Sequence, residues 1–252
     1  MPARTAVKAA IAVLAGWVAL SALASCAVDI GALQHRTSSY SLSGQLHTLV
    51  VNAHAGSVHI TGSGSGQVSV TERISFRGTA PGTTHRTASG TVTLDSSCPA
   101  LETCTVGYDI TVPKAITVRV SSNVGEIRLR SLSGQVTAHT NAGNIDLGSV
   151  SGPVEATGHA GSILGQDVSS PRATLHSSAG TIDVAFSAAP AIVTATSDIG
   201  SVTLRVPGNV PYNVTTDVGV GSTDVGVSRS LTSQHAITAS TRTGSVTIEP
   251  AP

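Results

Sequence analysis

Three cysteines, nine histidines and a scatter of carboxylates are the residues through which this 252-residue chain could do chemistry. Cys98 and Cys104, with five residues between them, suit either a disulfide or half of a metal site, and no second pair of ligands at a suitable spacing accompanies them. Among the histidines, His139 and His176 stand four residues before a recurring glycine, and His54 and His159 stand two before one. On strands stacked about 4.8 Å apart, His139 and His176 fall about 10 Å from each other with Thr157 between them. That is too far to share a metal held at about 2.1 Å per bond. Asp217, Asp224 and the run Gly219-Val220-Gly221 suggest calcium only faintly, because the glycine-rich calcium nonapeptide is absent. Serines are plentiful, but none stands in a Gly-x-Ser-x-Gly turn between a strand and a helix. Glu72, Glu102, Glu126, Glu155 and Glu249 are dispersed, and no tryptophan follows Trp17, so neither the paired carboxylates nor the aromatic platform of a sugar-cleaving groove is written here. No catalytic residue, metal or cofactor is expected.

The N-terminus carries a different chemistry. Met1 to Lys8 contains Arg4 and Lys8 and no acid, and Ala9 to Leu20 is an uninterrupted apolar run, which together read as a signal peptide. The run is shorter than the about 20 residues a membrane-spanning helix needs. It ends in Leu23-Ala24-Ser25-Cys26, a tetrapeptide that resembles the lipobox of bacterial lipoproteins. The resemblance implies cleavage behind Ser25 and acylation of Cys26, and two acyl chains suffice for stable anchoring where one is marginal. The expected division is a signal peptide over residues 1–25, a lipidated tether over 26–42 and a single domain over 43–252. An exported, membrane-anchored protein facing the extracytoplasmic side makes Cys98 and Cys104 a disulfide, contributing roughly 2 to 3 kcal/mol for so short a loop. The 14 basic and 14 acidic residues become 12 and 14 once Arg4 and Lys8 are removed, so the mature chain is slightly acidic. Its arginines are scattered singly, and no nucleic-acid partner is implied.

What must position these residues is a repeat. Glycines at Gly56, Gly125, Gly143, Gly161, Gly180, Gly200, Gly221 and Gly244 each sit inside the same alternating pattern, and from Gly125 onward they are 18, 18, 19, 20, 21 and 23 residues apart. Such a period suits one turn of a stacked β coil and is too short for paired helices. Two and four residues after the glycine stand apolar rows, Val58, Ile127, Ile145, Ile163, Ile182, Val202, Thr223 and Val246, then Ile60, Leu129, Leu147, Gly165, Val184, Leu204, Val225 and Ile248. Five and seven before it stand rows such as Val51, Val120, Ala138 and Ala156, and Leu49, Val118, Val136 and Val154. The period-two alternation means strands with one buried face, and its slip by one residue at the glycine marks a corner. Ala55, Ala142, Ala160 and Ala179, immediately before the glycine, are read as lining a narrow corner interior. The polar residues between the rows, including His59, Arg128, Asp146 and Asp183, face water. The fold expected is therefore all-β, a β-solenoid of rungs of 18–23 residues, right-handed by the general preference of parallel crossovers.

Between Gly56 and Gly125 the period breaks. Residues 61–115 alternate as strands in three places around the Cys98–Cys104 loop and are read as an antiparallel excursion covering the N-terminal end of the coil. At the other end Pro250 and Pro252 follow the last strand and cannot continue a ladder. The segments Tyr108-Asp109-Ile110-Thr111-Val112-Pro113, Ile116-Thr117-Val118-Arg119-Val120 and Ala138-His139-Thr140-Asn141-Ala142-Gly143-Asn144-Ile145-Asp146-Leu147 resemble the bacterial putative-adhesin family of β-strand-repeat envelope proteins, over about residues 43–249. That family is a domain of unknown function without agreed catalytic or binding residues. The resemblance implies a non-catalytic adhesive surface for a surface protein or glycan, with an envelope accessory protein docking a membrane partner as the alternative and a carbohydrate-active enzyme a distant third. Oligomeric state is not legible.

Overall fold

Each glycine repeat becomes one strand before its glycine and one after it. The computed structural model describes residues 32–99 and 103–251; Leu23, Ala24, Ser25 and Cys26, with the signal peptide, lie outside the described residues. The chain enters on β1 (Gln34–Leu42), makes the Gly56 rung from β2 (Thr48–Ala55) and β3 (Val58–Ser63), and continues through β4 (Val68–Phe76), β5 (Gly82–Ala88), β6 (Thr91–Ser97) and β7 (Cys104–Pro113). Then come β8 (Thr117–Val124) and β9 (Ile127–Arg130), β10 (Val136–Ala142) and β11 (Ile145–Gly148), β12 (Val154–Ala160) and β13 (Ile163–Val168), and β14 (Arg172–Ala179) and β15 (Ile182–Phe186). The last three rungs are β16 (Ile192–Ile199) and β17 (Val202–Val206), β18 (Asn213–Val220) and β19 (Thr223–Val225), and β20 (Ala236–Thr243) and β21 (Val246–Pro250). No helix occurs among the described residues.

Two mixed sheets result. The strands before the glycines form a ten-stranded sheet in the order β18-β20-β16-β14-β12-β10-β8-β2-β6-β5, and those after them an eleven-stranded sheet in the order β1-β4-β7-β3-β9-β11-β13-β15-β17-β21-β19. Neighbours are parallel where repeat meets repeat and in register apart from an irregularity between Gly165 and Val168 on β13, so that Val118, Val136, Val154, Ala173 and Val193 pair in one row and Ile127, Ile145, Ile163, Ile182 and Val202 in another. These inward rows from both sheets join in one buried hydrophobic cluster. Full burial of a valine, leucine or isoleucine contributes about 1.5–3 kcal/mol, and each rung gains it only when a neighbour closes its open side.

The glycine is required twice over at the corner. Gly143 and Gly244 have φ of 142° and 147°, a region that a side chain strongly disfavours. A Cβ on Gly143 would also run into the carbonyl oxygen of Gly125, and one on Gly244 into that of Gly200. From Gly125 onward the glycines form a column in which each packs its bare Cα on the peptide of the glycine next to it in the stack on the N-terminal side. The alanines next to it do not line the interior as expected. Ala160 and Ala179 are exposed and Ala55 and Ala142 half-buried, and in the same position Val124, Ile199 and Val220 are 56%, 61% and 69% exposed. The bend swings that residue outward. The narrow interior is filled instead from three positions before the glycine, by Ser122, Thr140, Ser177, Ser197 and Thr241, all buried.

Three further differences concern the ends. The stretch 26–42, expected as tether, already contains β1, which pairs antiparallel with β4 along its whole length. The excursion is only partly antiparallel: β4 and β5 run against their neighbours, but β6 and β7 run parallel to β2 and β3. Together β6 and β7 make an extra rung on the N-terminal side of the Gly56 rung. Its corner is closed by the Cys98–Cys104 disulfide, with Cα atoms 5.8 Å apart, where other rungs use glycine. At the opposite end β20 and β21 slip between the Gly200 and Gly221 rungs. The Gly221 rung is therefore the outermost layer, and Thr223, expected inward, is exposed there.

Candidate functional site

Stacking in register turns each sequence position into a row running along the molecule, so the outer faces are built of ladders rather than of a cleft. On the eleven-stranded sheet, His59, Arg128 and Asp146, three residues after their glycines, lie on successive strands in register with Asp109 on β7. They are joined into a chain of charged and polar side chains. Arg73 pairs with Asp109, His59 Nδ1 lies 3.2 Å from Asp109, and Arg128 reaches Glu126 at 2.5 Å and Asp146 at 3.1 Å. Arg130 closes on the same Asp146 at 3.0 Å. Further along, Arg205 bridges Asp183 at 2.5 Å and Glu249 at 2.9 Å. The Arg128 guanidinium is held above its ordinary pKa by its hydrogen bond to Asp146 and by Glu126, and that of Arg205 by Asp183 and Glu249. These groups are solvated, and alternating charge at one repeat position is the signal that could have revealed them in the sequence.

The ten-stranded sheet carries on its outer face a row of histidines and asparagines. His139 and His176 stand in one row with Thr157 between them, as the spacing predicted. Other histidines come closer than the spacing suggested. His139 meets His159 edge-on with ring centroids 5.2 Å apart, His139 Nε2 lies 3.1 Å from Asn141 Oδ1, Asn141 donates to Asn123 at 3.3 Å, and Asn123 lies 3.3 Å from His54 Nδ1. His54, Asn123, Asn141 and His159 thus form one hydrogen-bonded or contacting row flanked by His139. The diagonal contact escapes a reading that takes the rows one at a time, whereas a side chain on a sheet also reaches the neighbour two residues along. No group of three or more histidine, cysteine, aspartate or glutamate side chains poised for a metal occurs among the described residues.

Asp217 and Asp224 are not brought together: the first lies on β18 in one sheet and the second on β19 in the other. Asp217 lines an open depression of about 240 Å³ with Asp198, Ser240 and Arg242, in which Arg242 lies 3.5 Å from Asp198. Glu155 and Arg172 border a second open depression, of about 270 Å³.

The one buried acidic or basic side chain among the described residues sits at the N-terminal end. Glu72, on β4, points inward and is 4% exposed; it accepts a 2.7 Å hydrogen bond from the Tyr40 hydroxyl and lies opposite Tyr108. The Tyr40 ring stacks on His85 at 4.5 Å, tying the outermost strand of one sheet to that of the other. Burial, then Glu72, pushes the Tyr40 phenol well above its ordinary value, and burial pushes Tyr108 up to about 12 against the pull of Ser96. A neutral phenol donating to a carboxylate closes the core end without burying an unpaired charge.

No known family model matches the chain, and no curated protein sequence matches it. Solved structures do. A putative adhesin from Bacteroides fragilis superposes with a TM-score of 0.51 at 16% identity, over 86% of this chain and 97% of its own. A putative cell adhesion protein from Clostridium sporogenes superposes with a TM-score of 0.38 at 11% identity, over 86% of this chain and all of its own. The Bacteroides structure establishes a shared fold.

Proposed function

We propose that this chain is an exported lipoprotein, anchored in a bacterial cell membrane through Cys26 and facing the extracytoplasmic side, whose right-handed solenoid is a non-catalytic adhesive surface for a surface protein or glycan. The observation that carries the reading is the pair of long outer faces in which hydrogen-bonding side chains recur at strand spacing, one a ladder of ion pairs from Arg73 to Arg130 and one a row of histidines and asparagines from His54 to His159. Repetition of this kind suits extended contacts with repetitive partners. The likeness in fold to a protein named as an adhesin is consistent with it. The depressions around Asp217 and Glu155 are open and polar rather than enclosed pockets of the kind that grips a small substrate.

A second reading, an accessory protein docking a membrane partner by strand addition, draws on the unpaired outer edge of β18 and β19. Crosslinking in living cells with the native lipoprotein as bait, against a Cys26→Ala version, separates the two. Broad contacts with surface proteins or glycans, lost when the anchor is removed, are expected. A single dominant membrane protein would replace the adhesive reading with the accessory one, and degradation of a polysaccharide by the purified protein would overturn both.

A further inference from the structure

β18 ends the ten-stranded sheet and β19 the eleven-stranded one, and the proline-terminated last strand of the chain lies inside them. Pro250 therefore ends an interior strand and does nothing to protect the edge. Along β18 the Asn213 amide donates to His235 beside β20 at 2.8 Å. Just before β18, Tyr212 is already paired on the outer side with Ser228 and Ser230; beyond it backbone polar groups alternate in direction along the strand, so those of Val214, Thr216 and Val218 point to the open side. Natural edges are usually blunted by lysine, proline or a bulge. From Asn213 to Val220 this strand has no lysine or proline, and its register against β20 is regular up to Val218. Val214 and Val218 are left half-buried at the end of the inward rows that Ile237 and Thr241 continue as buried residues.

We infer that this edge docks a second copy of the same chain, β18 against β18, antiparallel about a two-fold axis through Thr216. A sheet that continues across the junction keeps inward residues opposite inward ones, which allows only alternate registers. Thr216 opposite itself places Val214 against Val218 of the second copy and Thr215 against its Asp217, twice each, over residues 213–219. Moving one allowed register toward the C-terminus sets Asp217 against Asp217, where like charges oppose pairing. Moving one toward the N-terminus shortens the ladder to residues 213–217. Such exchange of i with j is what a two-fold interface requires.

The inference rests on the anchored reading for its geometry. Cys26 precedes β1 by eight residues, and eleven strands at about 4.8 Å put the open edge about 50 Å from that end. Copies on facing membranes would meet edge to edge. A single pairing of this size is weak, and an array on each surface multiplies it.

The test uses full-length protein purified from membranes in detergent and reconstituted into phosphatidylcholine–phosphatidylglycerol vesicles. Directly opposite residues of a hydrogen-bonded antiparallel pair have Cα atoms about 5.5 Å apart, within reach of a disulfide. Thr216→Cys should crosslink to a dimer under mild oxidation at least tenfold faster than Thr215→Cys, which faces Asp217 of the second copy. Thr216→Pro removes an edge amide outside the β20 ladder, and should abolish vesicle clustering while the melting transition stays within a few degrees. Equal crosslinking at the two positions, or clustering that survives Thr216→Pro, overturns the proposal. Wild-type and Thr216→Pro vesicles are also mixed with cells lacking the protein. If wild-type vesicles fail to cluster with each other yet bind those cells, self-docking is overturned while the adhesive reading stands. If they do neither, both are.

Discussion

At the N-terminal end the stack closes on itself: β1, β4 and β5 turn antiparallel, Tyr40 stacks across on His85 and donates to the buried Glu72, and the last parallel rung is pinned by the Cys98–Cys104 bond. At the C-terminal end the outermost rung repeats the pattern of the interior ones and is covered only at its start, where Tyr212 pairs with the segment around Arg229, so Val214, Val218 and Val225 stay half-buried and Val220 is 69% exposed. The same parallel rung is thus finished at one end by crosslinks and reversed strands and at the other left as a template. The difference teaches that solubility in such a stack is a property of the cap on its terminal rung rather than of the repeat. Stability should fall from the central rungs toward the open end, with amide exchange slowest in the central rungs and fastest in β18 and β19.

The sharpest way to break that gradient is through the glycine column. Gly143→Ala, in the middle, meets both an unfavourable φ and the Gly125 carbonyl. It should cost about 3 kcal/mol or more, visible as a melting temperature lowered by well over five degrees. Gly221→Ala makes the same collision with Gly244, but its rung is free to lift away and should melt locally without changing the global transition. Equal losses from the two substitutions would mean that the terminal rung is as constrained as the interior, and the gradient would be wrong.

Next in size are the two devices of the closed end. Replacing Cys98 and Cys104 together by alanine should lower stability by roughly 2–3 kcal/mol, with exchange quickened in β6 and β7 and unchanged in β18. Tyr40→Phe leaves the Glu72 carboxylate without its hydroxyl donor and should cost about 1–3 kcal/mol. The two phenols also set a pH signature. Both have folded pKa values raised above the ordinary value of about 10, so their contribution is complete below pH 10 and is withdrawn as pH rises from there toward the folded-state values, about 12 for Tyr108. Chemical denaturation at pH 8, 10 and 11 should show stability falling across the last interval, and the fall should be smaller in Tyr40→Phe.

Much of the rung is legible in the amino-acid sequence. The buried rows two and four after the glycine and five and seven before it stand where alternation places them in the interior rungs, though not at Thr223 in the outermost one, because a parallel in-register stack makes every covered rung obey one pattern. That same degeneracy hides the order of the rungs. Each offers its neighbours the same rows and the same corner, so nothing local distinguishes β20 lying beside β16 from β18 doing so, or shows that β6 and β7 insert beside β2 and β3. The corner departs from expectation for a different reason. At positive φ the alternation restarts, and the residues before the glycine, including Ala142 and Ala160, lean out. The buried hydroxyls at Ser177, Ser197 and Thr241 are the available sign, since a serine or threonine recurring on an inward row needs a partner inside. The ion ladder from Arg73 to Arg130 is present as alternating charge but spans strands whose adjacency the period break conceals.

Those hydroxyls give the smallest and most local test of the gradient. Ser177, Ser197 and Thr241 donate to the carbonyls of Gly161, Gly180 and Gly200 at 3.0, 2.9 and 2.8 Å, each the glycine of the adjacent rung on the N-terminal side. Ser122 and Thr140, in the same row nearer the closed end, have buried hydroxyls without a hydrogen-bond partner. A buried hydrogen bond contributes about 1 kcal/mol net, and an unpaired buried hydroxyl is itself unfavourable. Ser197→Ala should therefore destabilise by about 1 kcal/mol, whereas Ser122→Ala, which removes an unsatisfied group of nearly the same shape, should be neutral or slightly stabilising. If both lose equally in denaturant titrations, the corner carbonyls do not depend on these donors. If only Ser197→Ala loses, hydroxyl capping is what joins the glycine column toward the open end, where no disulfide or reversed strand does so.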